Sequence, residues 1–382
     1  MKLLLRILSW LYGFFVGLRN LLYDEHVLHS FKPALPTICV GNLAVGGTGK
    51  TPHVEYLVRL LQQNGYVVAV LSRGYKRRTH GFIEANEHAT AAQIGDESMQ
   101  LKRKFPNLIV AVSEDRLIGV ARLKKRHPEL QVVLLDDAFQ HRRLKPGFSI
   151  LLTQADRLYV EDQMLPLGRL RESADGSFRA NMVVVTKCPK TIQPIEQRLI
   201  DTKLALPPSK PLIFTRMRYL PLVPVFEHSA LSDSGLSTLS PQDGLSTKKV
   251  LLLTGIAQPQ YLLEHVQSLG AEVVSLEFGD HHAFTDKDIE RIEETFRQEH
   301  CDLIITTEKD AVRLRECTNI PKQLIPFVYA RPIEVEFLSK DEQTFNNTIL
   351  SYVRKPWPRR GSPNTATGHM DNLKGKAKGT KA

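Results

Sequence analysis

One glycine-rich turn, entered by a short apolar run, constrains this chain more than any other stretch. Residues 37–40 include the β-branched residues of a buried strand, residues 41–49 hold four glycines, and Lys50 and Thr51 follow. A phosphate-binding loop needs flexible backbone N–H groups, a lysine for the β- and γ-phosphates, and a hydroxyl for Mg²⁺ before a helix. These parts occur here in that order, and the apolar periodicity of residues 53–62 predicts the helix.

The residues expected to hold the phosphates of a nucleotide are Ala44, Val45, Gly46, Gly47, Thr48, Gly49, Lys50 and Thr51. Ala44 stands where the strict pattern has its first glycine, but Gly46 and Gly47 keep the loop flexible. A glycine-rich turn without a ligand is the alternative interpretation. Because the motif requires all of its parts together, the stretch favours a nucleotide and Mg²⁺ site.

A buried strand ending in two carboxylates is the second signal. Residues 132–135 are apolar, and Asp136 and Asp137 follow them. P-loop enzymes use an acidic residue at such a strand end to hold Mg²⁺ opposite the hydroxyl of the loop. We therefore expect Thr51 and Asp137 to hold the metal ion, with Asp136 as the second candidate ligand.

Strands alternate with helical stretches over residues 37–187, which predicts a mostly parallel sheet with helices on both faces. Residues 225–247 are rich in serine and glycine and are typical of a loop or linker, and a second run of strands and helices follows. The sequence thus predicts a P-loop NTPase-like α/β fold. Its parts are a P-loop domain over 31–224 and a smaller C-terminal α/β domain over 225–354.

The most apolar stretch lies near the N-terminus, in residues 3–23. Arg6 and Arg19 limit its uninterrupted apolar part to twelve residues, too few to span a bilayer as a helix. A signal peptide is an alternative, but no small-residue cleavage site follows. We expect residues 1–30 to form a membrane-interface helix. The aromatic residues suited to headgroup depth are Trp10, Tyr12 and Tyr23. A helix packed on the core and a single-span anchor stay open as alternatives.

The formal charge of +10 suggests nucleic-acid binding, but the distribution of the charge argues against it. Residues 355–382 contain seven Lys or Arg and one Asp, so this tail carries six of the ten charges. The tail is expected to be disordered and solvated, with a weaker attraction to anionic lipid. The four cysteines form no CxxC pair, which favours a reducing compartment and suggests neither a zinc site nor a disulfide framework.

Seven short motifs follow one another along the chain, at residues 41–52, 72–75, 95–97, 136–141, 165–172, 280–282 and 307–310. In this order they resemble the motifs of the tetraacyldisaccharide 4′-kinase family of lipid A biosynthesis. Three positions depart from the family pattern: Ala44 replaces a frequent threonine, Ser98 a proline and Ala138 a glycine. None of the three puts the chemistry in doubt.

The resemblance implies an enzyme that uses ATP and Mg²⁺. It implies transfer of the γ-phosphoryl group to the 4′-hydroxyl of an acylated glucosamine disaccharide 1-phosphate, the lipid A precursor. By the same resemblance, Asp96 is the base that takes the hydroxyl proton, and His281 from the second domain orients it. Lys50 would hold the β- and γ-phosphates. A metal site at His281 and His282 is a weaker alternative.

Six more residues are candidates for binding phosphates or the disaccharide headgroup, although each alternatively forms only a salt bridge. They are Arg73, Tyr75, Arg116, His141, Arg171 and Glu172. The lipid acceptor implies a peripheral or monotopic enzyme at the cytoplasmic face of the inner membrane of a Gram-negative bacterium. Neither nucleic acid nor an obligate protein partner is implied.

Two other functions stay open at this point. A regulatory P-loop ATPase would hydrolyse nucleotide without a lipid acceptor and would dock its N-terminal helix on a protein. A soluble kinase of a small metabolite would use that helix only as part of its core.

Overall fold

Two β-sheets organise the chain, and the computed structural model describes residues 2–226 and 245–357. In chain order the strands are β1 (Thr37–Asn42), β2 (Val68–Ser72), β3 (Ile83–Glu84), β4 (Ile109–Val112), β5 (Val132–Asp136), β6 (Phe148–Gln154), β7 (Met182–Thr186), β8 (Leu212–Tyr219), β9 (Val223–Pro224), β10 (Lys249–Thr254), β11 (Glu272–Glu277), β12 (Leu303–Thr307), β13 (Val328–Arg331) and β14 (Ile333–Phe337). The helices are α1 (Lys2–Asp24), α2 (Lys50–Gln63), α3 (Ala91–Ile94), α4 (Asp96–Lys104), α5 (Arg116–Arg126), α6 (Pro194–Leu204), α7 (Gln260–Ser268), α8 (Asp286–Gln298), α9 (Glu308–Leu314) and α10 (Asp341–Arg354).

The larger sheet has nine strands in the order β14-β8-β7-β6-β1-β5-β2-β4-β3. Its inner strands pair in parallel, while β3 and β14 run antiparallel at the two edges. Strand β1 lies between β5 and β6, and Val40 is in register with Asp136. The carboxyl ends of β1 and β5 are therefore neighbours, at the edge where open α/β sheets bind their ligands.

Side chains of the inner strands point alternately into two apolar cores, one on each face of the larger sheet. On one face α2, α4 and α10 contribute Leu57, Leu101 and Phe345. On the other face α5 and α6 contribute Leu123 and Leu204. The strands are apolar on both sides because helices cover both faces. The predicted mostly parallel sheet with helices on both faces is confirmed.

The smaller sheet has five strands in the order β11-β10-β12-β13-β9. All its pairs are parallel except the one between β13 and β9. Helix α7 packs on one face through Leu262 and Val266. Helices α8 and α9 pack on the other face through Ile289 and Ala311. A second, smaller α/β unit therefore exists, as predicted.

The last strand and helix belong to the larger unit, which corrects the predicted C-terminal domain over 225–354. Strand β14 pairs antiparallel with β8, placing Val335 opposite Met217. Helix α10 buries Phe345 in the core of the larger sheet. The physical reason is that β8 would otherwise be an edge with free N–H and C=O groups, and β14 pairs with them.

Two predicted segments fall largely outside the described residues. The predicted linker at 225–247 includes residues 227–244, and the predicted basic tail at 355–382 includes residues 358–382. Both stay predictions.

Replacing Phe345 by alanine is expected to destabilise the larger unit. The ring is fully buried, at 0% exposure, and losing a buried phenylalanine ring costs about 3–5 kcal/mol. Urea unfolding followed by far-UV circular dichroism measures the loss, with the exposed neighbour substituted as Asn347→Ala for a control. A loss below about 1 kcal/mol, which is ordinary for surface changes, would contradict the assignment of α10 to this core.

Candidate active site

A cleft of about 1480 Å³ lies where the carboxyl ends of the larger sheet face the smaller unit. The larger unit lines it with the phosphate loop and with Asp136 and Asp137. The smaller unit lines it with Gln258, His281 and Lys309. One cleft lined by both units can therefore hold the donor and the acceptor of a group-transfer reaction.

The phosphate loop connects β1 to α2, and side chains on neighbouring strands fix its backbone. Asn42 donates from Nδ2 to Oγ1 of Thr48 over 2.9 Å, and Thr186 donates from Oγ1 to the carbonyl of Thr48 over 2.9 Å. Gly49 precedes α2 with φ of +84°, and Lys50 is the first residue of that helix. Free N–H groups and the helix dipole at this end attract phosphate oxygens. The loop is thus preformed for a nucleotide.

Asp137 lies beside the lysine of the loop. Both of its carboxylate oxygens accept from Nη1 of Arg171 over 3.0 Å, and Nζ of Lys50 lies 3.8 Å from Oδ2. Burial would raise the pKa of Asp137, but Lys50 and Arg171 hold it below its usual range. Asp137 is therefore an ionised carboxylate next to the place where phosphates bind.

Asp136 is buried, and among the described residues no ion pair engages it. Burial, followed by the charges of Glu97 and Asp137, raises the pKa of Asp136 to about 7. Its Oδ1 has no hydrogen-bond partner among the described residues. A buried carboxylate without a partner is costly unless a cation neutralises it. The donor set of Thr51, Asp136 and Asp137 therefore fits Mg²⁺, which prefers oxygen ligands.

In the part of the chain that the structure describes, no three His, Cys, Asp or Glu side chains are arranged to hold a metal ion by themselves. Mg²⁺ usually keeps several waters and binds through one or two carboxylates together with phosphates of the substrate. The arrangement at Asp136 and Asp137 suits that mode of binding. His282 instead pairs with Asp288, 2.9 Å away, so the weaker alternative of a two-histidine metal site has no support here.

Asp96 and His281 come from different units and meet beside the cleft. Asp96 is the first residue of α4, and His281, with φ of +61°, lies between β11 and α8. Nδ1 of His281 lies 2.9 Å from Oδ2 of Asp96. Nζ of Lys309 lies 3.0 Å from Nε2 of His281. Because an ammonium only donates, Nε2 is the acceptor and the proton of the neutral imidazole is on Nδ1, which donates to Asp96.

The surroundings of Asp96 keep it ionised. Burial would raise the pKa of this carboxyl, but the hydrogen bond from His281 and the charges of Arg313 and Lys309 hold it below its ordinary value. An ionised carboxylate at neutral pH can accept a proton. Sequence reasoning did not identify Arg313, which lies one helical turn after Lys309. The only signal for it is its position on the helix that follows the motif at 307–310.

Arg73 and Tyr75 follow β2 and stand at the cleft, exposed. The ring of Tyr75 meets the ring of His281 edge-on, with 5.1 Å between centroids. The structure thus brings Tyr75 against His281 of the Asp96–His281 pair, while Arg73 lines the same cleft.

Arg116 and His141 lie deeper in the larger unit. Arg116 donates to the backbone carbonyls of Glu114 over 3.0 Å and of Asp137 over 3.2 Å. Burial and the charge of Arg116 lower the pKa of His141 to about 4. His141 is therefore neutral, and its Nε2, 3.7 Å from Oδ1 of Asp115, makes a polar contact but no ion pair. Arg116 therefore supports the strand end that carries Asp137, while the side chain of His141 lies against Asp115.

Glu172 is 1% exposed and already has three donors. Its carboxylate accepts from Arg179 over 2.7 Å, from Gln140 over 3.0 Å and from Asn20 of α1 over 3.1 Å. Tyr12 of α1 donates to the backbone carbonyl of Arg171 over 3.0 Å. The polar side of α1 therefore binds the loop that carries Arg171 and Glu172. Tyr12 was predicted to lie at the depth of the lipid headgroups, but its hydroxyl is engaged by the protein.

The other side of α1 is apolar and exposed. Its large exposed side chains are Leu3, Leu4, Ile7, Leu8, Trp10, Leu11, Phe14, Phe15, Leu18 and Leu21. The helix therefore does not bury these residues in the core of the described chain. Across residues 2–226 and 245–357, every helix is too short or too polar to cross a membrane.

A further contact joins the two units beside the phosphate loop. Nζ of Lys187 donates to Oε1 of Gln258 over 2.5 Å and lies 4.4 Å from the ring centroid of Tyr261. Gln154 donates to the same Oε1 over 3.1 Å and to the carbonyl of Gly47 over 2.8 Å. Burial lowers the pKa of Lys187 to about 8. Gln258 and Tyr261 were not predicted, because no local pattern places their segment against the loop.

A phosphate loop, two acids beside its lysine and a carboxylate–histidine pair at one cleft define a nucleotide-dependent phosphotransferase of the P-loop class. The family model described as tetraacyldisaccharide-1-P 4′-kinase matches residues 1–354. This chain belongs to that family.

Similarity to individual members spans most of the chain. A tetraacyldisaccharide 4′-kinase from Bacteroides thetaiotaomicron is 48% identical over 352 residues, which are 91% of this chain and 92% of that protein. One from Flavobacterium johnsoniae is 43% identical over 358 residues, covering 93% and 99% of the two chains. The crystal structure of LpxK from Aquifex aeolicus in complex with ATP aligns with a TM-score of 0.67 at 28% identity, covering 92% of this chain and 99% of that one. Fold and family membership therefore agree.

Substitution of Gly49 by alanine is expected to weaken ATP binding about tenfold. The residue has φ of +84°, and an added Cβ would lie 2.5 Å from Cε of Met217. A left-handed conformation costs a non-glycine residue about 1–2 kcal/mol, and 1.4 kcal/mol corresponds to about tenfold in affinity. Calorimetric titration with Mg-ATP measures the change. Gly17→Ala is the control, since nothing lies within 4 Å of an added Cβ there; equal affinities in the two variants would contradict a preformed loop.

Proposed function

We propose that this chain transfers the γ-phosphoryl group of ATP to the 4′-hydroxyl of an acylated glucosamine disaccharide 1-phosphate, a step of lipid A biosynthesis. The observation that carries the proposal is the Asp96–His281 pair, because a sugar hydroxyl must lose a proton and His281 lines the cleft of the phosphate loop. Membership of the tetraacyldisaccharide 4′-kinase family supports the same reaction.

The phosphate loop and the neighbouring acids serve the nucleotide end of the reaction. Backbone N–H groups of the loop and the ammonium of Lys50 bind the β- and γ-phosphates, while Thr51, Asp137 and Asp136 hold Mg²⁺. When bound, Mg²⁺ neutralises charge on the transferred group and on the leaving group. Arg171 orients Asp137 through its two 3.0 Å contacts.

Asp96 takes the proton of the 4′-hydroxyl as that oxygen attacks the γ-phosphorus. The new O–P bond forms while the bond from the γ-phosphorus to the bridging oxygen breaks, and ADP leaves with that electron pair. His281 donates to Oδ2 of Asp96. Among the described residues no hydrogen bond engages Oδ1, so Oδ1 is the oxygen that receives the proton.

Arg73 and Tyr75 contact the polar headgroup of the acceptor in this proposal. Both are exposed at the cleft, and Tyr75 lies against His281. Among the described residues no ion pair engages Arg73, so its guanidinium is available to an anionic phosphate. The other expected headgroup residues take a supporting role in this proposal. Arg116, Arg171 and Glu172 already have hydrogen-bond partners in the protein, and Nε2 of His141 lies 3.7 Å from Oδ1 of Asp115.

The apolar side of α1 rests in the surface of the membrane that holds the acceptor. Its exposed side chains contribute nothing to the core, and withdrawing an acyl chain from a bilayer costs about 0.8 kcal/mol per CH₂. An enzyme bound at the surface can act on the headgroup without extracting the lipid. In the Gram-negative bacteria that make lipid A, the ATP-containing side of the inner membrane is the cytoplasmic face, and we place the enzyme there.

Transfer of labelled γ-phosphate from Mg-ATP to acylated disaccharide 1-phosphate in detergent micelles tests the reaction. The intact protein is expected to label the 4′ position. Lys50→Ala should lose at least about 100-fold in rate, because the lysine stabilises charge on the transferred group. Asp96→Asn should lower kcat by about 100-fold or more while the affinity for ATP stays within about twofold, because a base acts in the chemical step.

The exposed arginine of α8, substituted as Arg297→Gln, serves as the control and should behave as wild type. Release of free phosphate at a rate indifferent to the lipid would contradict the kinase and favour a regulatory ATPase. Loss of ATP binding in Asp96→Asn would place Asp96 in the nucleotide site.

Three substitutions on the apolar side of α1, Trp10→Ser, Phe14→Ser and Phe15→Ser, are expected to release the protein from vesicles. These side chains are 53–68% exposed, so the fold should not change, whereas each large apolar side chain contributes about 1.5–3 kcal/mol when buried. Flotation with vesicles of anionic phospholipid measures binding, and we expect at least a tenfold loss, by the same figure.

A matched control substitutes exposed apolar residues elsewhere, as Phe178→Ser, Ile195→Ser and Leu199→Ser. Equal release by the two triple variants would show that exposed apolar area in general, and not α1, binds the vesicle.

A further inference from the structure

We propose that Arg313 is a positioning residue for the transfer, one that holds Asp96 and the turn carrying His281 in a single geometry. The inference rests on the proposed function, since Arg313 has this role only if Asp96 is the base. Arg313 lies on α9 in the smaller unit and is 6% exposed. It is therefore not a surface cation that exchanges its partners with water.

Arg313 binds the backbone that surrounds His281, at the following residue His282 and at Gly255. Nη1 donates to the carbonyl of His282 over 3.0 Å, and Nη1 and Nη2 both donate to the carbonyl of Gly255 over 3.3 Å. The backbone N–H of His281 donates to the same Gly255 carbonyl over 3.2 Å. A positive φ at a histidine is unfavourable and persists only where the surroundings fix it. Arg313 supplies that fixation.

The same guanidinium faces Asp96 in the larger unit. Nε stands 3.0 Å from Oδ2 of Asp96. The two atoms are not aligned as a hydrogen bond, and the buried Nε has no hydrogen-bond partner among the described residues. The contact is therefore an attraction between charges, strengthened because both groups are shielded from water. A different cation at residue 313 should partly replace it.

Asp310 keeps the guanidinium in place from within the smaller unit. It is 0% exposed, and its Oδ1 lies 3.0 Å from Nη1 of Arg313. Its Oδ2 accepts from the backbone N–H of Gly255 over 3.0 Å and from Oγ1 of Thr307 over 2.7 Å. Arg313 is thus already neutralised in its own unit. Its second contact, with Asp96, is not needed to fold that unit and points to a role in the site.

The charged groups that face Asp96 are His281, Arg313 and Lys309 from the smaller unit, with Glu97 next to it on its own helix. Removing Arg313 takes away one positive charge, and the pKa of Asp96 then rises. Below its pKa the base is protonated and cannot act. The acid limb of the pH profile should therefore move to higher pH when Arg313 is lost.

The test compares Asp310→Asn with the double variant Asp310→Asn/Arg313→Met, because Arg313→Met alone would leave Asp310 buried without a cation. With Mg-ATP and acylated disaccharide 1-phosphate in mixed micelles, the double variant should show a kcat about 10- to 100-fold lower and an unchanged KM for ATP. The acid limb of kcat/KM should rise by about one pH unit. Arg313→Lys should keep the acid limb of the wild type, and the exposed Arg297→Met should change nothing.

A lower kcat with an unmoved acid limb would assign Arg313 a purely structural role and overturn the inference. Equal kcat in the single and double variants would overturn it too, as would an acid limb that the lysine variant fails to keep. Failure of the proposed function is a separate result, because the wild-type protein would then transfer no label to the lipid at all.

Discussion

The 2.9 Å contact between His281 and Asp96 joins residues 185 positions apart in two different units. Neither unit carries both residues, so the site forms only in one relative position of the two units. Helices α4 and α9 set that position because two separated ion pairs join them. Arg313 faces Asp96 at one end, and Glu308 pairs with Lys104 over 2.7 Å at the other. Two separated ion pairs resist rotation of one helix against the other, which a single pair would allow.

Lys104 also ties this helix pair to the phosphate loop. Its Nζ lies 2.7 Å from Oε2 of Glu55, a residue of α2 that is 1% exposed. Burial raises the pKa of Glu55 and the charge of Lys104 opposes that rise. Because Glu55 is buried, removing Lys104 would weaken the compensation of its charge and destabilise the contact between α2 and α4. Helix α2, which begins at Lys50, and helix α4, which begins at Asp96, are therefore held in one frame. The contact between Glu55 and Lys104 therefore helps to fix the distance between the phosphate loop and Asp96.

Sequence patterns predicted the parts of the site that are contiguous in the chain. The phosphate loop and the strand-end acids were predictable because their chemistry needs particular residues beside a strand end, and the pairing of β1 with β5 brings them together. The pairing of Asp96 with His281 came from family resemblance, since no periodicity relates distant residues. Arg313 was missed because a helical arginine looks the same in sequence whether it faces water or a carboxylate. The return of β14 to the larger sheet was missed for a similar reason, since strand partners far apart leave no local pattern.

Helix α1 links the membrane surface proposed for this enzyme to the acids of the site. Tyr12 donates to the carbonyl of Arg171, and Arg171 binds both carboxylate oxygens of Asp137. The opposite side of the same helix is apolar and exposed. A helix resting in the bilayer surface fixes the height of the cleft above the acyl chains, and the acceptor presents its headgroup at one depth. In this proposal, lipid binding and the orientation of Asp137 use opposite sides of one helix, which gives a reason for the hydrogen-bonding side chains of Tyr12 and Asn20 on the side that faces the protein.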